Sequence, residues 1–396
     1  MSVTRRGFLH RAAGSLALAA AAPSLSASQS AGKGGCDSSE KIIKAADKRT
    51  GREVWQITSG QAPSNSCYFE AQAFTAGDRH LVYASKRSGV YQLYRLDLAS
   101  EETCPVTHGY GISSLSYSIA PDGKTVYYTV GGRVHRTDVM TGATAVLEFE
   151  AGFAVSRYQR PIKFSFGRTF TPDGEYSAVG WTDAAGKAGV ALVNLAKGIV
   201  TKYVEVPGGT GGHTLVCPAD PYLVTFVHAP DQQNNMKLPM EQRARSMIID
   251  FRTGQIRPFL IMPYGWRATH EYWSPKGDRF YFHKKRVPGW VPAGICSMKR
   301  DGSDLRTHFT SETLQLGHSM ISPDERFIVS DVQKAHDNPL LLIDLASGKH
   351  QVLCWPDSSA TSEQIGHVHP SVSRTGKFVA YTSDRTGVAQ VYLVPV

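Results

Sequence analysis

The chain has 396 residues, 41% of them hydrophobic, and 43 Lys and Arg against 34 Asp and Glu give a formal charge of +9. That length admits one large domain or two ordinary ones, and the apolar share is enough for a sizeable core. The basic balance comes without a long Lys/Arg run or a basic helix, so nucleic acid is a poor partner and anionic small molecules or polymers are better ones.

The first thirty residues are predicted to be a signal peptide. Arg5 and Arg6 precede Gly7-Phe8-Leu9, an Ala/Leu-rich stretch follows, and small residues surround Ala27. That is the twin-arginine pattern, and it predicts an exported protein, periplasmic or secreted. The apolar stretch from Ala12 to Ala22 is too short to span a bilayer, and no other run comes near ~18 apolar residues, so no membrane span is expected. Six cysteines (Cys36, Cys67, Cys104, Cys217, Cys296 and Cys354) are scattered without a CxxC, which excludes zinc-finger and iron–sulfur patterns. Export permits disulfides; the spacing leaves open whether any pair is bridged. Residues 31–50 form a short N-terminal segment, and 51–396 the main domain.

Through that domain one phrase recurs: FTAGDRHLVYAS, IAPDGKTVYYTV, FTPDGEYSAVGW, CPADPYLVTFVH, WSPKGDRFYFHK, ISPDERFIVSDV and VSRTGKFVAYTS. Each is a Pro/Asp/Gly turn followed by an alternating strand rich in β-branched and aromatic residues. Anchored on Asp78, Asp122, Asp173, Asp220, Lys276, Asp324 and Thr375, the steps are 44, 51, 47, 56, 48 and 51 residues. After each anchor strand comes a turn and a further strand, as in QLYRLDLAS, RVHRTDVM and LLLIDLASG, and no sustained helical period appears. Seven units of this length predict an all-β, seven-bladed propeller. The last unit stops at QVYLVPV, one strand short, while DKRTGREVWQITSG near the start has a strand and no blade. Ring closure reconciles the two: residues 53–58 supply the outer strand of the last blade, leaving only short protected edges.

The innermost strand of each blade precedes its anchor and lines the channel. His270, His318 and His369 each stand six residues before their anchors, so three consecutive blades carry a histidine at one height. His367 lies two residues before His369, on the same face of the predicted strand, and Gln364 stands where the chain enters it. Imidazole suits Zn, Mn, Fe, Ni and Cu. An amide oxygen with no thiolate favours an open-site ion such as Mn(II), or another divalent metal, over structural zinc. No HExxH, GxSxG, Walker loop or GxGxxG after a strand is present.

The segments HEYWSPKGDRFYF, LGHSMISPDERF, SEQIGHVHPSVSRTGKFVAYTSDRTG and SCYFEAQAFTAGDRHLVYASKRSG resemble the oligogalacturonate lyases of polysaccharide lyase family 22. The resemblance covers essentially the whole mature chain, and its most specific element is Gln-x-x-His-x-His with single histidines one and two blades earlier. It implies a seven-bladed propeller, an Mn(II) site at His318, Gln364, His367 and His369, a catalytic His270, and a catalytic-site arginine one blade earlier. Both Arg243 and Arg245 are available, and Arg245, directly before its strand, fits the pattern better. The sequence departs from the family at Pro370-Ser371 and Arg374-Thr375-Gly376, where relatives carry another His and a Pro-Asp-Gly turn.

The implied reaction is β-elimination of a 4-linked galacturonate oligomer, with an unsaturated uronate as product. A neutral His270 suits the base that removes the C5 proton, although it would also serve as a further metal ligand. Arg245, always charged, suits a carboxylate or the leaving oxygen. Lys86, Arg87, Lys284 and Lys285 are candidates to extend anionic subsites. The alternatives are a lyase for another acidic polysaccharide and a non-catalytic periplasmic propeller of the TolB kind.

Overall fold

Aspartates at strand ends set the repeating hairpins. The Asp97 carboxylate accepts the backbone N–H of Ala99 at 2.9 Å and of Ser100 at 3.1 Å. Asp138 does the same for Met140 and Thr141, and Asp344 accepts the Ser347 N–H. A carboxylate that satisfies the turn's own donors makes each reversal local and cheap. The computed structural model describes residues 35–38, 40–153, 157–210, 212–228, 237–361 and 364–396. The predicted signal segment lies outside the described residues.

These hairpins build seven antiparallel sheets, six of four strands and one of five. In chain order the first strands of blades 1 to 7 are Ser64–Asn65, Tyr117–Ile119, Lys163–Phe166, Leu215–Cys217, Trp266–Trp273, Leu316–Ile321 and Ser371–Val372. The middle strands of a blade pack against neighbours on both faces. His80–Ser85 is therefore buried throughout, whereas no residue of the outer strand Arg306–Ser311 is buried. The interleaved cores are aromatic: Tyr83, Tyr117, Trp181, Phe226, Tyr381 and Tyr392 are among the large side chains that are wholly buried or nearly so.

Ring closure follows the sequence expectation. Glu53–Gln56 pairs with Gln390–Pro395, with Trp55 opposite Leu393 and Gln56 opposite Tyr392. Ile43–Ala46 adds a fifth strand outside it, so part of the 31–50 segment joins the last blade. The unusual Arg374-Thr375-Gly376 turn is part of the same junction. Arg374 donates from Nε to the Phe74 carbonyl at 2.7 Å and from Nη2 to the carbonyls of Ile119 at 3.2 Å and Ala120 at 2.6 Å. Its backbone N–H and that of Thr375 reach the Asp78 carboxylate. One turn of blade 7 thus ties blades 1 and 2. At the outer edge a Cys36–Cys104 disulfide fastens the N-terminal segment to blade 1; Cys67, Cys217, Cys296 and Cys354 are buried free thiols.

Candidate metal centre and active site

The first strand of blade 6 approaches its neighbour so closely that a Cβ on Gly317 would lie 2.0 Å from Asp331 Oδ1. Only glycine fits. The approach lets Asp331 accept two bonds from the next residue: the His318 backbone N–H at 2.5 Å and the ring Nδ1–H at 3.0 Å. A carboxylate accepts only, so Nδ1 carries the proton and the other ring nitrogen keeps its lone pair. Both residues are about 1% exposed.

His367 and His369 meet His318 from blade 7. Potential ligand atoms of the three rings all lie within 4.8 Å of one another. His367 Nε2 is bonded to the Thr361 carbonyl at 2.8 Å, and its Nδ1 is buried without a partner among the described residues. His369 Nε2 is likewise buried and unpartnered. Buried polar atoms are otherwise nearly always satisfied, so these lone pairs mark a place for a ligand. Burial pushes the His318 and His369 imidazoles well below their ordinary pKa, with neighbouring histidines adding to the effect. Both are neutral donors.

The route by which His367 and His369 converge differs from the expected strand. Gln364–Gly366 is a 3-10 turn, and the strand begins only at Ser371. His369 takes a left-handed conformation, φ +44°. A turn, and not the alternation of a pleated strand, brings the two rings to 5.5 Å. Gln364 accepts the His367 N–H through its carbonyl at 3.1 Å. Its side chain is exposed, not buried among the imidazoles.

His270 stands beside this group. Its ring centroid is 4.1 Å from His318 and 5.7 Å from His283, and its Nδ1 is buried without a partner. Burial, then His318 and Lys285, holds its pKa well below the ordinary value. It sits at a register shift in its strand with φ +56°. Arg245 reaches the neighbouring residue, placing Nε 2.6 Å and Nη2 3.2 Å from the two oxygens of buried Glu271. Burial alone would lower the Arg245 pKa and raise that of Glu271; the pairing outweighs it in both. Two of the guanidinium nitrogens are therefore committed to Glu271, a partner the sequence did not indicate. Arg243 points elsewhere, with Nη1 3.4 Å from the Met262 carbonyl and the guanidinium 4.2 Å from the Tyr264 ring centroid.

Several groups here were not anticipated. Tyr68 and Phe69 from blade 1 reach across the channel: Tyr68 lies 4.8 Å from His369 and 6.0 Å from His318, and Phe69 5.7 Å from His270. Fully buried Glu70 holds Arg168 through Nε at 3.1 Å and His213 through Nδ1 at 3.0 Å. Arg168 and His213 are also left-handed, φ +63° and +47°. Lys285, 2% exposed, is lowered to about 8 by burial, against the opposing pull of Asp331. Of the other cations expected near an anion, Arg87 is paired with Glu40 and Lys284 lies over Trp266. The grouping of Cys36, Glu102 and Cys104 is explained by the disulfide.

Fold and site together define a seven-bladed propeller with imidazoles from three adjacent blades converging on one point. Proteins of known function share the propeller fold. The chain is 22% identical over 380 residues to the oligogalacturonate lyase of Dickeya dadantii, covering 88% of this chain and 95% of that protein. It is 22% identical over 383 residues to the oligogalacturonide lyase of Pectobacterium atrosepticum, with the same coverage. An oligogalacturonate lyase solved in complex with manganese superposes with a TM-score of 0.78 at 21% identity, covering 92% of this chain and 98% of that one. The oligogalacturonate lyase of Vibrio parahaemolyticus gives 0.76 at 19% identity, covering 92% and 99%. No family model matches the chain. The chain resembles oligogalacturonate lyases in sequence and shares their fold over nearly its whole described length.

Proposed function

We propose that this protein is an oligogalacturonate lyase that cleaves 4-linked galacturonate oligomers by β-elimination at a manganese-dependent site. The observation that carries the reading is the group of His318, His367 and His369, with two buried lone pairs that no described residue satisfies. Neutral nitrogen donors without a thiolate fit a divalent ion of the manganese type, as does the manganese bound by the structural relative. His318, His367 and His369 would hold the ion, with Gln364 as a fourth donor once its exposed side chain turns inward. Neutral ligands leave such an ion its full positive charge, which when bound supplies electrostatic stabilisation to a uronate carboxylate as charge develops at C5.

The protein's own groups perform the proton chemistry. His270 is held neutral by burial, so it is in its base form at neutral pH, and its unpartnered Nδ1 is the atom that takes the C5 proton. Glu271 orients Arg245 by two hydrogen bonds and leaves Nη1 to meet the substrate carboxylate or the departing O4. Tyr68 and Phe69 close the channel beneath the histidines and keep bulk water from the new carbanion-like centre.

The Arg5-Arg6 segment and the Cys36–Cys104 disulfide support export by the twin-arginine route to an oxidising compartment. Cell fractionation after replacing Arg5 and Arg6 by Lys tests this, since retention in the cytoplasm is expected. For the activity, manganese-loaded protein is incubated with di- and trigalacturonate and the ultraviolet absorbance of the unsaturated product is followed. Absence of product together with absence of bound metal overturns the reading.

A further inference from the structure

Part of the channel rim joins an exposed aromatic ring to two cations. Trp290 lies in the connection between Arg279–Arg286 and Ala293–Lys299 of blade 5. That is the end of the ring where first strands begin and second strands finish, the end that also carries His270, His318 and His369. The indole is 39% exposed, and its backbone holds φ +66°. A bulky residue in the left-handed region is an outlier, and such strain concentrates at ligand sites.

The Arg267 guanidinium is 5.3 Å and the Lys285 ammonium 5.5 Å from the indole centroid. These two residues are direct cross-strand partners. Two cationic side chains therefore stand side by side against the exposed indole. Lys285 also reaches Gln333 of blade 6 at 3.5 Å. Two residues back along the same face is His283, whose ring is 5.7 Å from His270. An unbroken wall therefore climbs from the proposed base, through His283 and Lys285, to Trp290 in solvent.

An indole offers its face to the apolar C–H face of a pyranose, and a guanidinium offers a fork to a carboxylate. We propose that Trp290, Arg267 and Lys285 form a subsite for a uronate residue beyond the two sugars that flank the cleaved bond, the indole stacking on the ring and Arg267 taking its carboxylate with the Lys285 charge behind it. The proposal rests on the lyase reading and extends it to chain length: a trimer fills this subsite, and a dimer leaves it open.

The test compares digalacturonate with trigalacturonate on the manganese-loaded full chain. Trp290→Ala is expected to lower kcat/KM about tenfold on the trimer, mostly through KM, and to leave the dimer within about twofold. Trp290→Phe keeps a stacking face and should recover most of the loss, whereas Arg267→Gln should repeat it. An unchanged trimer rate, or an equal loss on dimer and trimer, overturns the subsite. If the wild-type chain cleaves neither substrate, the lyase reading fails separately. Calorimetry with trigalacturonate then decides the subsite: binding weakened by Trp290→Ala upholds it, and absent or unaltered binding refutes it.

Discussion

Asp331→Asn separates a metal site from a merely polar channel. The substitution keeps size and shape but replaces an acceptor of two hydrogen bonds by one acceptor and one donor. In the native protein Asp331 accepts both the His318 backbone N–H at 2.5 Å and Nδ1–H at 3.0 Å. If the Asn oxygen faces the backbone, its amide group faces Nδ1; the ring proton then moves to the other nitrogen and blocks the lone pair aimed at the histidine group. If the oxygen faces Nδ1, two N–H donors oppose each other in a buried site. The first arrangement costs metal affinity, about 10- to 100-fold for loss of such a supporting partner, or roughly 1.4–2.7 kcal/mol. The second costs fold stability, about 1–3 kcal/mol for an unsatisfied buried donor. Manganese titration by calorimetry measures the former and urea unfolding of the metal-free chain the latter. A variant that binds manganese within twofold of wild type and is also as stable to urea would refute the assignment of His318 as a ligand oriented by Asp331.

His270→Ala should lower turnover by roughly 10²- to 10⁴-fold, the usual contribution of a general base, while elemental analysis still finds metal; loss of metal would make His270 a ligand instead. His369→Ala should lose both metal and activity. Acid should weaken the fold, because burial, then Lys285, holds His283 at about 3 against an ordinary 6.5. The unfolded chain takes up the proton first, so this stability is complete above pH 6.5 and is lost as pH falls toward 3. At pH 5 the loss from this residue alone is about 2 kcal/mol, and a urea midpoint equal at pH 7 and pH 5, or an acid loss undiminished in His283→Gln, contradicts it. Arg374→Ala removes three side-chain bonds that join blade 7 to blades 1 and 2. It should destabilise the metal-free chain by about 2–4 kcal/mol yet leave manganese affinity unchanged, with a parallel loss of affinity placing Arg374 in the site instead.

The ring was legible because its signals are local. A Pro/Asp/Gly turn with an alternating strand behind it recurs in every blade, and the unmatched strands at the two ends announce their pairing. The phase of His270, His318 and His369 was legible for the same reason: it is a distance along the chain to a turn. What escaped that count is what the backbone displaces. Arg168 stands five residues before Asp173 and His213 seven before Asp220, each one step out of phase, and each has a left-handed backbone that re-aims its side chain. The His367–His369 pair was found for the wrong geometric reason, since a turn does the work assigned to a strand. Asp331, Glu70 and Glu271 had no signal of their own. In sequence each is one more acidic residue, and only packing reveals that each accepts from a channel cation or imidazole. Arg374 looked like a lapse from a family pattern and proved to be a fastening between blades.

The electrostatics of the channel explain why so many charges are buried there. Glu70 with Arg168 and Glu271 with Arg245 are internally compensated pairs, and in each the pairing outweighs the cost of burial in holding the carboxylate ionised. Compensation fixes the direction of each guanidinium without adding net charge to the site. His270, His318 and His369, kept neutral by burial, add none either. Among the described residues Asp331 is the one carboxylate that touches the histidine group, and burial raises its pKa against the opposing hydrogen bond from the His318 backbone N–H. Lys285, 2% exposed, places a cation beside this group, and a bound metal would add another. A channel organised in this way offers positive charge at the metal group and again at Lys285, which suits an acidic oligomer. Such an arrangement favours a chain of acidic sugars over a single small anion, which would satisfy only one of the two positions.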